Sequence, residues 1–129
     1  TLWTSGGGQV VGWLNTKMFD ETGDEVKSQG WTAVIMDTNG NGKRDAYTEP
    51  KEPLDSTKDR RAAINIYAVA VNPKDGSVWG TQLGFPGAAI RLNPGSNPPE
   101  TALAEVYELP LRDGAVQCVV LIPFVSVAL

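Results

Sequence analysis

Apolar residues fall in short runs punctuated by Gly, Pro, Asn and Asp, the pattern of strands joined by tight turns. Leu2-Trp3-Thr4 and residues 9–14 predict a hairpin around Gly6-Gly7-Gly8. Residues 15–30 are polar and carry Asp20, Glu21, Asp24 and Glu25, so they read as a long loop with room for one helical turn. Residues 31–36, Trp-Thr-Ala-Val-Ile-Met, read as a strand. The proline-broken, charged stretch 49–61 reads as a surface loop on a binding face, with Asp59, Arg60 and Arg61 as an ion-pair cluster. Residues 63–71 predict a strand with Ile64, Ile66, Ala68 and Ala70 on one face and Asn65, Tyr67, Val69 and Val71 on the other. Asp75-Gly76 marks a hairpin turn into a strand at 77–82. Gly84-Phe85-Pro86-Gly87 turns the chain into a strand at 88–92, residues 93–100 form a loop, and a last strand at 103–109 is ended by Pro110. An apolar tail follows at 115–129.

This pattern predicts an all-β fold in a single domain, residues 1–129. Four strands with short turns between residues 67 and 110 have the size and content of one antiparallel four-stranded propeller blade. Leu2-Trp3-Thr4-Ser5 echoes Val78-Trp79-Gly80-Thr81, and Tyr47-Thr48-Glu49-Pro50 faintly echoes Tyr107-Glu108-Leu109-Pro110. The expectation is a partial β-propeller of about two to three blades with long loops; the alternative is a small closed β-sandwich or barrel.

One stretch carries candidate chemistry. Asp37-Thr38-Asn39-Gly40-Asn41-Gly42-Lys43-Arg44-Asp45 sets short oxygen-bearing side chains at alternate positions, then a glycine, then another carboxylate. Ca²⁺ takes six to eight oxygens, and a tight loop brings successive odd positions to one centre. Asp37, Asn39 and Asn41 are the expected first ligands, Lys43 offers its backbone carbonyl, and Asp45 binds directly or through water. The usual loop closes with a bidentate Glu at its twelfth position. Here that position is Thr48, and Glu49 follows as the candidate last ligand. The competing reading is a polar surface turn, because Asn-Gly and Asx clusters are the usual turn formers. The preceding strand excludes a helix–loop–helix EF-hand, so a bound ion here would be structural rather than sensing.

Composition removes several function classes. Histidine is absent, which takes away the commonest general base and the commonest transition-metal ligand. A net charge of −4 argues against a nucleic-acid partner. Cys118, the single cysteine, allows no intrachain disulfide and reads as a buried apolar thiol. The tail contains Pro123 and is too short to span a bilayer as a helix. The chain begins Thr1-Leu2-Trp3, and the expectation is a processed product or fragment of a secreted or periplasmic protein, where calcium is plentiful.

The runs Tyr67-Ala68-Val69-Ala70-Val71, Asp75-Gly76-Ser77-Val78-Trp79, Ala89-Ile90-Arg91-Leu92 and Glu105-Val106-Tyr107-Glu108-Leu109-Pro110 resemble a blade of the streptogramin (virginiamycin B) lyase-like β-propellers. Over residues 2–110 the chain is similar to an uncharacterised exported bacterial branch of that superfamily. The resemblance implies a propeller fold, and for the family's lyases a C–O lyase reaction using a catalytic histidine with magnesium. This chain has no histidine, so the activity passes to no residue here. The tail 115–129 does not resemble a following blade. A propeller takes about four to eight blades, more than this length holds. Unclosed blades leave strand edges that pair with other chains. The expected function is therefore a non-enzymatic, calcium-stabilised extracellular structural or binding module. Its expected partners are copies of itself or further blades, with the apolar tail as first candidate contact. Two alternatives remain open. One is an enzyme, of lyase or carbohydrate-active type, using Asp45 and Glu49 with Arg60 or Arg61 on an anionic substrate. The other is a lectin-like carbohydrate binder using an exposed tryptophan. Trp3, Trp13, Trp31 and Trp79 are expected to fill the core.

Overall fold

The computed structural model describes residues 1–84 and 87–108. The chain runs β1 (Leu2–Thr4), β2 (Val10–Leu14), α1 (Thr16–Thr22), α2 (Glu25–Ser28), β3 (Gln29–Ala33), β4 (Ile35–Met36), β5 (Tyr47–Thr48), β6 (Asp59–Arg61), β7 (Ile66–Val71), β8 (Val78–Gln82), β9 (Ala88–Asn93), α3 (Pro98–Thr101) and β10 (Leu103–Glu108). The strands form two sheets, one of order β1-β2-β3 and one of order β5-β6-β4-β10-β9-β8-β7. The fold is all-β, and among the described residues neither sheet closes into a barrel. The expected turn at Phe85-Pro86, the strand end at Leu109-Pro110, Cys118 and the tail 115–129 lie outside the described residues.

The antiparallel meander β7-β8-β9-β10 is the four-stranded unit that the sequence predicts. Local chemistry explains it. Gly76 adopts φ 73°, and the Asp75 carboxylate accepts from both the Ser77 amide and the Ser77 hydroxyl, which fixes the β7–β8 turn. Along β9, Ala88, Ile90 and Leu92 are buried and alternate with Ala89 and Arg91. Each fully buried Ile or Leu side chain contributes about 1.5–3 kcal/mol. The meander is not a separate blade, however. The sheet continues past β10 through a parallel contact, Ala104 with Met36, into β4, β6 and β5.

Three sequence expectations change. A register shift between Ile66 and Ala68 inserts a bulge, after which Val69 rather than Ala68 or Ala70 packs on the core. Residues 15–30 are more ordered than a loop: Asn15 caps α1 and Asp24 caps α2 through side-chain oxygens. The apparent internal repeat does not correspond in space, because Trp3 lies on β1 in the small sheet and Trp79 on β8 inside the large one. The same holds for Tyr47, on the two-residue strand β5, and Tyr107, on the long strand β10.

Val11, Val34, Ile64, Ile66, Val78, Ile90, Leu92, Ala102 and Ala104 form one buried cluster, with Trp3 and Met36 packed against it. Val11 belongs to the small sheet, so the two sheets share this core. Among the described residues no helix is long and apolar enough to cross a membrane.

Candidate metal centre

The loop between β4 and β5 is organised by one side chain. Asp37 Oδ1 accepts from the amides of Gly40 (2.7 Å) and Asn41 (3.2 Å), and Asp37 Oδ2 accepts from the amide of Gly42 (2.7 Å). Gly40 and Gly42 both take positive φ, 77° and 74°, which a β-carbon would oppose. Two Asx turns continue the curl: Asn41 N donates to Asn39 Oδ1 at 3.2 Å, and Lys43 N donates to Asn41 Oδ1 at 2.8 Å.

The curl brings the odd positions together. Asn39 Nδ2 and Asn41 Nδ2 both donate to Asp45 Oδ2, at 3.0 and 2.5 Å. The Asn41 donor, then the Asn39 donor, hold the Asp45 carboxyl below its ordinary value. The side chains of Asn39, Asn41 and Asp45 thus meet within the loop, while Asp37 is engaged by the backbone amides of residues 40–42. Asp37 and Asn39 are half-buried, whereas Asn41 and Asp45 face solvent.

The donor set is entirely oxygen, from carboxylates, amides and the Lys43 carbonyl. That chemistry suits a hard cation such as Ca²⁺ and does not suit Zn²⁺ or Cu²⁺. In this structure both asparagines turn their amide nitrogens to Asp45, while their oxygens accept from the Asn41 and Lys43 amides. Among the described residues no three Asp, Glu, His or Cys side chains gather in a metal-holding group. Half of this loop's side-chain oxygen donors are asparagines.

Glu49 is placed elsewhere. Its carboxylate pairs with Arg61 Nη1 at 3.3 Å, and its amide donates to Glu52 Oε2 at 2.8 Å. The expected last ligand is therefore engaged outside the loop. The expected cluster of Asp59, Arg60 and Arg61 is also taken apart. Arg60 Nη2 donates to the Pro50 carbonyl at 2.7 Å, Arg61 pairs with Glu49, and Asp59 accepts from the Asp45 amide at 2.7 Å. Of the residues in the enzyme reading, Glu49 and Arg61 pair, while Asp45 is engaged by Asn39 and Asn41 and Arg60 by the Pro50 carbonyl.

Sequence reasoning misses Asp59. It is fully buried beneath the loop, and its Oδ1 has no hydrogen-bond partner. The clue is non-local. β4 pairs with β6 through Ile35 with Arg61 and Met36 with Arg60, and one further step of that register sets Asp37 opposite Asp59. No local pattern in the sequence announces a pairing between a two-residue and a three-residue strand.

The neighbouring cation is spent on the backbone. Arg44 Nη1 donates to Thr32 Oγ1 (2.8 Å), the Pro98 carbonyl (3.1 Å) and the Ala102 carbonyl (3.4 Å). Burial pulls the Arg44 guanidinium below its ordinary value, against the opposing charges of Tyr47 and Asp59.

The tryptophans divide. Trp3, Trp13 and Trp79 are half-buried, and Trp79 stacks on Tyr107 with ring centres 6.0 Å apart. Of the four expected in the core, only Trp3 packs against the buried cluster; Trp79 lies on the outer face of the meander, and Trp31 is 62% exposed with its ring over Gly12 on the neighbouring strand. No protein-family model, characterised protein or solved structure matches this chain, so the site is read from its own geometry.

Proposed function

We propose that this chain is a calcium-stabilised all-β module with a structural or binding role, working outside the cytoplasm and assembling with copies of itself or with further blades of a propeller-like protein. What supports the reading is the loop 37–45, in which Asp37 gathers the amides of Gly40, Asn41 and Gly42 and the side chains of Asn39 and Asn41 meet Asp45. The ion would be held by these side chains and the Lys43 carbonyl, and would tie β4 to the strands that follow. No step of chemistry is assigned to it. Glu49 pairs with Arg61 and Arg60 holds the Pro50 carbonyl, while Asp45 is held by Asn39 and Asn41, which favours this reading over the enzyme.

The test is particle mass and thermal unfolding, each in calcium and in chelator. Extracellular calcium modules bind with Kd of about 0.1–1 mM. At about 100 times Kd the ion adds about 2.7 kcal/mol, or roughly 10 °C in Tm for a domain this size. An assembly larger than one chain that melts lower in chelator supports the module. A monomer indifferent to chelator overturns it and leaves the loop an ordinary turn.

A second reading rests on Trp31. Its exposed ring lies over Gly12 with Thr4 alongside, and offers an aromatic surface to a sugar ring. A polysaccharide screen by tryptophan fluorescence tests it, and no change across the screen removes it.

A further inference from the structure

We propose that Asn41 is a deamidation site whose reaction with the following glycine is restrained by Asp37, and that the reaction opens the loop once it occurs. The proposal goes beyond the calcium reading and does not depend on an ion.

The chain offers two places for this chemistry. Of the seven asparagines, only Asn39 and Asn41 precede glycine, at Gly40 and Gly42. Asn72, Asn93 and Asn97 precede proline, which has no N–H to react, and Asn15 and Asn65 precede the β-branched Thr16 and Ile66. Deamidation needs the amide nitrogen of the next residue to close on the asparagine side chain. Gly42 carries no β-carbon to obstruct that approach, and the space where one would stand is open, with nothing within 4 Å.

In the reaction the Gly42 nitrogen bonds to Asn41 Cγ and loses its proton. The Cγ–Nδ2 bond breaks, and ammonia leaves with that proton. Water then opens the cyclic imide at either carbonyl, giving aspartate or isoaspartate.

The folded loop opposes each step. The Gly42 amide donates to Asp37 Oδ2 at 2.7 Å, so the nitrogen must give up a charge-assisted hydrogen bond before it attacks. Asn41 Oδ1 accepts from the Lys43 amide at 2.8 Å and Asn41 Nδ2 donates to Asp45 Oδ2 at 2.5 Å, so both ends of the side-chain amide are fixed. The leaving nitrogen needs a proton, and the ionised Asp45 carboxylate against it only accepts. Asn39 is held more firmly still. It is half-buried, and its Nδ2 donates to Asp45 and to the Thr57 carbonyl, whereas Asn41 is exposed. Asn41 is therefore the pair member that reacts.

The product cannot keep the curl. Hydrolysis exchanges the Nδ2 donor for a carboxylate oxygen, which sets two like charges at hydrogen-bond distance where Asn41 meets Asp45. Isoaspartate also adds a methylene to the backbone, which displaces Gly42 from Asp37.

The experiment follows Asn41 by peptide mass spectrometry during incubation at mildly alkaline pH, in chelator so that calcium plays no part. The full chain is compared folded, in denaturant, and as Asp37→Ala. The folded wild type is expected to deamidate about 10–100-fold more slowly than the denatured chain, the range that a hydrogen bond to a charged group supplies. Asp37→Ala should approach the denatured rate. Equal rates in folded and denatured wild type overturn the restraint. A slower reaction in Asp37→Ala overturns it too, because Asp37 would then be acting as the base that takes the Gly42 proton. If Asp37→Ala does not fold, Asp37→Asn takes its place, keeping the shape and losing the charge. A faster Asn41 reaction supports the restraint there, and an unchanged one overturns it. Asn41→Asp tests the opening: hydrogen exchange at the Gly40 and Gly42 amides should quicken, and unchanged exchange overturns that part of the proposal.

Discussion

Arg91 on β9 reaches back to the β7–β8 turn and places its Nη2 3.0 Å from Asp75 Oδ2. Its Nη1 lies 3.3 Å from Glu105 on β10, so one guanidinium ties a turn and two strands across the outer face of the meander. Glu105 also accepts from the Tyr107 hydroxyl, and Tyr107 stacks on Trp79. The residues that carry the blade resemblance, Asp75, Trp79, Arg91, Glu105 and Tyr107, are therefore one outward-facing network. They fasten the strands, and the apolar core lies on the opposite face.

That network predicts an acid-sensitive fold. The Ser77 hydroxyl, the Ser77 amide and Arg91 together pull the Asp75 carboxyl down from 3.8 to about 2. The Tyr107 hydroxyl and then Arg91 lower Glu105 from its ordinary 4.5. Depressed carboxyl values mean that the folded state holds protons less tightly than the unfolded chain. The stabilisation is present above the unfolded values and is lost as pH falls through the folded ones. Melting temperature should hold steady above about pH 5 and fall between about pH 4.5 and 2. Asp75→Asn should flatten that fall. An unchanged slope in the variant would count against the network.

Gly12 and Trp31 make a second prediction. A β-carbon built on Gly12 meets Trp31 Cζ3 at 2.7 Å and Thr4 Cγ2 at 2.8 Å. Gly12→Ala must push the indole off the sheet, and because the ring is already exposed the strand can accommodate it. The expected cost is about 1 kcal/mol, with a red shift in tryptophan emission. A variant that melts like the wild type with unshifted emission would show that the ring does not rest there.

How much of this is legible in the sequence depends on the range of the interactions. The meander is legible because each strand alternates over several residues and its turns are local, as Asp75-Gly76 shows. The curled loop is legible for the same reason, since Asp37, Asn39, Asn41 and Asp45 sit within nine consecutive residues and Asp37 organises the turn through nearby amides. Strands β4, β5 and β6 are not. They are two or three residues long, too short for periodicity, and exist because they pair with one another and with β10. Asp59 and the role of Glu49 follow from those pairings, so both escape a local reading. The bulge after Ile66 escapes it too, because one inserted residue inverts an otherwise regular alternation.

Asp37 and Asp45 should separate in chelator. Asp37 holds three backbone amides and defines the loop without any ion. Asp45 receives side-chain donors at the exposed mouth. With calcium removed, Asp37→Ala should cost about 2 kcal/mol and Asp45→Asn less than about 0.5 kcal/mol. In saturating calcium both should lose stability relative to the wild type. Equal effects of the two substitutions in chelator would mean that the loop is not hung on Asp37.

The outer edge of β7 provides the last prediction, on assembly. β7 ends the large sheet, and among the described residues no strand pairs along its far side. Its first residue is covered, because Gly7 N donates to the Ile66 carbonyl at 2.9 Å and Ile66 N donates to the Gly8 carbonyl at 3.0 Å. From the bulge onward no further backbone hydrogen bond covers that edge among the described residues, and Tyr67 (66% exposed), at the bulge, and Val71 (46% exposed) reach solvent. The opposite edge, β5, is two residues long, a length that discourages pairing. Lysines on an edge strand block addition of another chain through charge and desolvation. Tyr67→Lys with Val71→Lys should therefore lower the particle mass to that of one chain while leaving the melting temperature within about 2 °C, since neither side chain is buried. Light scattering at micromolar concentration reads the outcome. An assembly that keeps its mass in the double variant would exclude β7 as the contact.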